Sequence, residues 1–123
     1  MERLNYIIQK TPKKINTADN KLILEHFGFL SNNNKDLSLA HMKAPIGWSE
    51  PFQQPEFDEY TFIIRGKKKI IIDGDSIILE KGDSIKINKG SRVQYSNPFD
   101  EECEYLSICK PAFSIETVNR DKQ

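Results

Sequence analysis

From about residue 37 onward, apolar residues recur with a period of two, in runs four to seven positions long. The runs are LSLAHMKA, EYTFIIRG, KKIIID, SIILEKG, SIKINKG, RVQYSN and EYLSICKP, all rich in β-branched or aromatic residues. Asp-Gly at 73–74 and Lys-Gly at 81–82 and 89–90 separate them as turns. In SIKIN, Ile85 and Ile87 share one face while Ser84, Lys86 and Asn88 share the other, which predicts a half-buried strand. The adjacent isoleucines of SIILE predict a strand covered on both faces. Such spacing favours a closed barrel or sandwich, in which edges are protected.

Upstream, KLILEHFGFL and DLSLAHMKA flank SNNNK, a pattern that predicts a hairpin with an Asn-rich turn. A helix over 20–27 is the competing reading, because Leu22, Ile23, His26 and Phe27 keep partial helical spacing; the strand is preferred. Pro111 has no ladder donor and ends the last strand. Beyond it, Phe113, Ile115 and Val118 are expected to cover the barrel or a neighbouring subunit, with fraying after Asn119.

Composition narrows the picture. The 123 residues form one predicted domain, long enough to bury roughly two-thirds of the extended-chain surface. Eighteen basic and eighteen acidic side chains cancel to a formal charge of +0, which gives no global field for nucleic acid or an anionic membrane. The basic runs KTPKK and RGKKK read as solvated loop charges. No apolar run approaches the roughly 20 residues that span a bilayer. MERLNYIIQKTPKK does not read as a secretion signal, so a cytoplasmic protein is expected. Cys103 and Cys109 on one strand lie about 20 Å apart, too far to bridge, and are expected as buried thiols.

The stretch PFQQPEFDEYTFIIRG, residues 51–66, carries the candidate chemistry. Gly47 is followed by five residues, then Gln53-Gln54-Pro55, three residues, Glu59, six residues and Gly66. After fifteen more residues come Gly82, Asn88, Gly90, Val93 and Asn97. This framework resembles the two motifs of the cupin superfamily. The first of those reads glycine, five residues, His-any-His, three residues, glutamate, six residues, glycine. The second reads glycine, five residues, proline-any-glycine, two residues, histidine, three residues, asparagine. The likeness covers about residues 37–113, and LSICKPAFS looks like the ending of single-domain members. It implies an all-β fold: a small double-stranded β-helix, the jelly-roll or RmlC-like barrel, with N-terminal strands and a short C-terminal extension.

In metal-dependent cupins the motif histidines and glutamate hold a transition ion. At the three histidine positions this chain has Gln53, Pro55 and Val93, and its only histidines are His26 and His41. A three-histidine site within one subunit is therefore impossible, and neither metal nor other cofactor is expected. If Glu59 points inward as in the family, strand parity turns Thr61 and Ile63 inward, and Tyr60, Phe62 and Ile64 outward. Val93 and Tyr95 turn inward likewise. The expected cavity is mainly apolar, with Gln53, Glu59, Thr61, Ile63, Val93 and Tyr95 as ligand-binding residues.

A carboxylate in such a cavity must be hydrogen-bonded, paired or protonated, and Gln53 and Tyr95 have protons to donate. Three roles for Glu59 stay open: loop anchor, ligand recognition, or catalytic base with Tyr95 or His41 as acid. His41 either faces the pocket or sits outside the barrel. Trp48 and Phe52 either lid the pocket or anchor the entrance loop. The first expectation is a metal-independent cupin acting as a structural or small-molecule-binding module, for a neutral or mildly polar, carbohydrate-like ligand. The alternative is a metal-independent isomerase, epimerase or lyase on a sugar-like or small carbonyl substrate, with Glu59 as acid/base. Cupins are often dimers, and the outward Tyr60, Phe62 and Ile64 fit a homodimer contact.

Overall fold

The computed structural model describes residues 5–122. Its strands are β1 (Lys13–Ile15), β2 (Leu22–Phe27), β3 (Ser38–Ala44), β4 (Asp58–Arg65), β5 (Lys68–Ile72), β6 (Asp75–Leu79), β7 (Ser84–Ile87), β8 (Val93–Ser96) and β9 (Cys103–Lys110). Two single-turn helices, α1 (Phe29–Asn32) and α2 (Ile115–Val118), complete it. A six-stranded antiparallel sheet runs β1-β2-β3-β9-β4-β7, and a three-stranded one runs β6-β5-β8. The late strand β9 inserts between β3 and β4, the crossing that makes a jelly roll rather than a meander. This is the all-β barrel that the glycine framework implies.

Both sheets feed one core, in which Ile63 of β4, Ile70 of β5, Val93 of β8 and Cys103 of β9 are fully buried. The framework residues explain themselves physically. Gly66 has φ +79°, and a Cβ there would sit 2.5 Å from the Glu102 carbonyl oxygen, so only glycine fits. Asn97 is buried and its amide donates to the carbonyls of Ala44, Pro45 and Glu101 at 3.2, 3.3 and 2.8 Å. It staples the β3 exit to the loop before β9. Asp73 and Gly74, with φ of 46° and 90°, form the two-residue turn between β5 and β6.

Three local expectations need correction. SNNNK is not a simple turn: α1 takes in its first two residues, and the Leu30 and Ser31 amides of that helix donate to the buried Glu25 carboxylate at 3.0 and 2.7 Å. β2 and β3 do pair as a hairpin around it. SIILE is covered on one side only, because Ile77 packs on the core while Ile78 is 52% exposed. Finally, the chain does not fray after Asn119. Arg120 bridges to Gln53, the Asp121 amide donates to the Phe52 carbonyl at 2.8 Å, and the Asp121 carboxylate pairs with Arg92. Phe113 and Val118 pack beside Phe57, whereas Ile115 stays exposed.

Candidate functional site

One end of the barrel encloses a cavity of about 80 Å³. Residues of β1 to β5, β8 and β9 form its walls, and the segments holding Lys21, Phe113 and Arg120 line it from the two chain ends. The volume suits a molecule of a few heavy atoms rather than a large metabolite.

Glu59, the second residue of β4, reaches this cavity. Tyr95, two residues into β8, donates its hydroxyl to Glu59 Oε1 at 2.9 Å. Ser107 on the neighbouring β9 donates to Glu59 Oε2 at 2.5 Å. Both carboxylate oxygens are thus held. Burial, reinforced by the Glu59 charge, pushes the Tyr95 hydroxyl well above its ordinary range, so Tyr95 keeps its proton. Gln53 is pinned by paired backbone bonds to Val93, both 2.9 Å, and its Oε1 accepts from Arg120 Nε at 3.2 Å. Arg120 also approaches Glu50 Oε2 at 3.7 Å.

The least expected members are two lysines. Lys68, within the run read as solvated, opens β5 with its side chain in the barrel and is 2% exposed. Its Nζ lies 3.6 Å from the ring centre of Tyr105 and 4.2 Å from that of Tyr95. Lys21 Nζ stands 4.4 Å over the Trp48 ring and 5.5 Å from Tyr105. Neither ammonium belongs to any ion pair among the described residues. Aromatic faces hold them instead. Burial, followed by the neighbouring Lys21 charge, brings the Lys68 amine down to about 8 from an ordinary 10.5. Burial lowers Lys21 as well, against the pull of Glu50 and Glu59.

The cavity therefore differs from the one expected. Gln53, Glu59 and Tyr95 come together in it. Thr61, Ile63 and Val93 face inward but fill the space between the sheets and do not line it, because strand parity fixes a face and not a depth. His41 is excluded from it: Ser38, Ala40 and Met42 of β3 point to the cavity, so His41 lies on the outer face, 2.6 Å from Glu104. Trp48 anchors rather than lids, being 4% exposed with its indole N–H donated to Asp19 at 2.7 Å. Both thiols are free and buried, and burial raises each above its usual range. The signal that would have found Lys68 was present: period two in KKIII puts it on the face of Ile70.

The sequence profile of the Cupin domain family matches residues 40–109, more than half of the chain. The chain belongs to the cupin family. This cupin is also 35% identical over 119 residues, 97% of its length, to a protein of Myxococcus xanthus (strain DK1622) named Endoribonuclease YbeY. It spans only 40% of that relative. Among solved structures it superposes on KdgF from Halomonas sp. with a TM-score of 0.73, at 12% identity over 91% of this chain and 97% of that one. A Cupin 2 conserved barrel domain protein from Salinispora arenicola CNS-205 gives 0.64, at 17% identity over 89% and 87%. These two likenesses show the fold alone.

A transition ion of the kind many cupins carry does not fit these residues. Of the four ligand positions only Glu59 offers an anionic donor, and both its oxygens are already engaged. Gln53 Oε1 serves Arg120, Pro55 has no donor atom, and Val93 presents methyl groups. No group of three or more His, Cys, Asp or Glu suited to a metal occurs among the described residues. No helix among the described residues is long and apolar enough to cross a membrane.

Proposed function

We propose that this cupin works without a metal and binds a small anionic metabolite, most simply a carboxylate, inside the barrel. The supporting observation is the pair of ammonium groups, buried Lys68 and half-buried Lys21, lining one cavity with no ion-pair partner among the described residues. A buried charge needs a counter-charge or strong hydrogen bonds, and a bound carboxylate supplies both. Three cations, Lys21, Lys68 and Arg120, share the cavity with three carboxylates. Glu25 is held by the α1 amides, Glu59 by Tyr95 and Ser107, and Glu50 faces Arg120, which leaves the two lysines without a direct partner. This reading replaces the neutral, carbohydrate-like ligand for that reason. The ribonuclease name of the Myxococcus relative is not carried over: this chain matches 40% of it and has a formal charge of +0, which offers no field for a polyanion.

Calorimetry and thermal melts with lactate, succinate and glucose, on protein dialysed against EDTA, test the proposal. A carboxylate should bind and raise the melting temperature, and Lys68→Met should abolish that gain. Binding of glucose alone, or dependence on a retained metal, would sink it.

A second reading draws on the Tyr95–Glu59 bond: a metal-independent isomerase, epimerase or lyase in which Glu59 takes a proton beside a carbonyl. Deuterium uptake into pyruvate, followed by NMR and lost in Glu59→Gln, would support it. We further propose a homodimer joined through the outer face of β4, where Tyr60 and Phe62 are 40% and 45% exposed.

A further inference from the structure

Lys68 has a use beyond neutralising an anion. We propose that its amine forms a reversible imine with a small α-keto acid, the carboxylate of which is received by Lys21. The inference rests on the anion-binding reading above and adds covalent chemistry to it.

The geometry carries it in three parts. Lys68 is 2% exposed, its Nζ reaches the cavity, and it has no hydrogen bond or ion pair among the described residues, so no protein partner must be displaced before it reacts. Its stem is fixed at the start of β5, and its head lies between the rings of Tyr105 and Tyr95, 3.6 and 4.2 Å from their centres. Lys21 lines the same space, and the charges of Glu50 and Glu59 favour its ammonium form against the effect of burial, so it can meet a carboxylate when Lys68 becomes covalently engaged. A monofunctional acid needs only one of these lysines; a carbonyl next to a carboxylate uses both. The small volume favours a short keto acid.

The chemistry balances without an outside reagent. The neutral amine adds its lone pair to the carbonyl carbon as the C=O π pair moves to oxygen, and a proton shed by the nitrogen passes to that oxygen to give a carbinolamine. Protonation of that hydroxyl releases water as the nitrogen lone pair closes the C=N bond. The Tyr95 hydroxyl, donated to Glu59 at 2.9 Å, lines the cavity and can accept a hydrogen bond from the carbinolamine hydroxyl. Lowering of the Lys68 amine to about 8 supports the first step, since about a tenth of molecules then carry the free base at pH 7. A lysine desolvated beside a second cation is an established way to make such a nucleophile.

The test treats the full chain with pyruvate and sodium cyanoborohydride, followed by intact mass and peptide mapping. One reduced pyruvate adduct per chain, located at Lys68, is expected, with none at Lys68 in Lys68→Arg, which keeps the cation. Lys21→Met should slow trapping of pyruvate more than trapping of acetaldehyde. Adducts spread over exposed lysines at equal rates, or an unchanged total in Lys68→Arg, would overturn the proposal. Lactate separates the two readings. If lactate binds yet pyruvate is not trapped at Lys68, the imine fails and the anion site stands; if lactate does not bind, the underlying site fails too.

Discussion

Lys68 Nζ sits 3.6 Å from the centre of the Tyr105 ring, in a barrel interior where it has no carboxylate partner among the described residues. The arrangement costs stability, because the ring quadrupole returns only part of the lost hydration. It has a direct consequence for pH. Between about 8 and 10.5 the unfolded chain holds a proton on this amine that the folded chain has released. Lys68 therefore destabilises the fold fully below about 8, and the penalty fades as pH rises toward 10.5. Lys68→Met should be more stable than the parent by about 1–3 kcal/mol at pH 7. That advantage should shrink through the same window. Urea unfolding of both proteins at several pH values checks it, and taking the difference removes the opposing effects of the raised thiols and tyrosines.

Removing one hydroxyl from the Glu59 clamp isolates the second polar feature. Tyr95→Phe leaves Oε1 of a half-buried carboxylate without its 2.9 Å donor while keeping the ring under Lys68. A loss of about 1–3 kcal/mol is expected. Chemical denaturation showing no change would mean that water takes the place of the phenol.

Asn97 offers a test of the framework rather than the cavity. Its amide serves three carbonyls, from Ala44, Pro45 and Glu101, in a fully buried setting. Asn97→Ala removes this donor from all three, although the Pro45 carbonyl keeps the Trp48 amide at 3.1 Å, and a destabilisation of about 2–3 kcal/mol is expected from the urea midpoint.

The proposed pairing of chains makes a fourth prediction. Light scattering should give about twice the 14.2 kDa chain mass, and Phe62→Lys should return the single-chain value with secondary structure unchanged. One 14.2 kDa species across a wide concentration range would remove the homodimer.

The barrel was legible because its determinants are local and repeated. Gly66 and Asn97 are required by backbone geometry, and the alternation of Tyr60, Thr61, Phe62 and Ile63 follows from the pleat. The cavity was legible only in part. Glu59 and Tyr95 were found through motif and parity, but Lys21, Lys68 and Arg120 were not, since charge alone argues for exposure and most lysines obey it. For Lys68 the neighbouring isoleucines outvoted that prior. For Arg120 no sequence pattern existed: its position depends on a tail folding back onto Gln53, a contact 67 residues apart. Parity likewise could not separate Glu59 from Ile63, which share a face and differ in depth.

The protein has a single tryptophan, Trp48, and the Lys21 ammonium rests 4.4 Å above its ring. An occupant that draws Lys21 away changes the field on that indole. Fluorescence of the unlabelled chain is thus a built-in gauge of whether the barrel is filled.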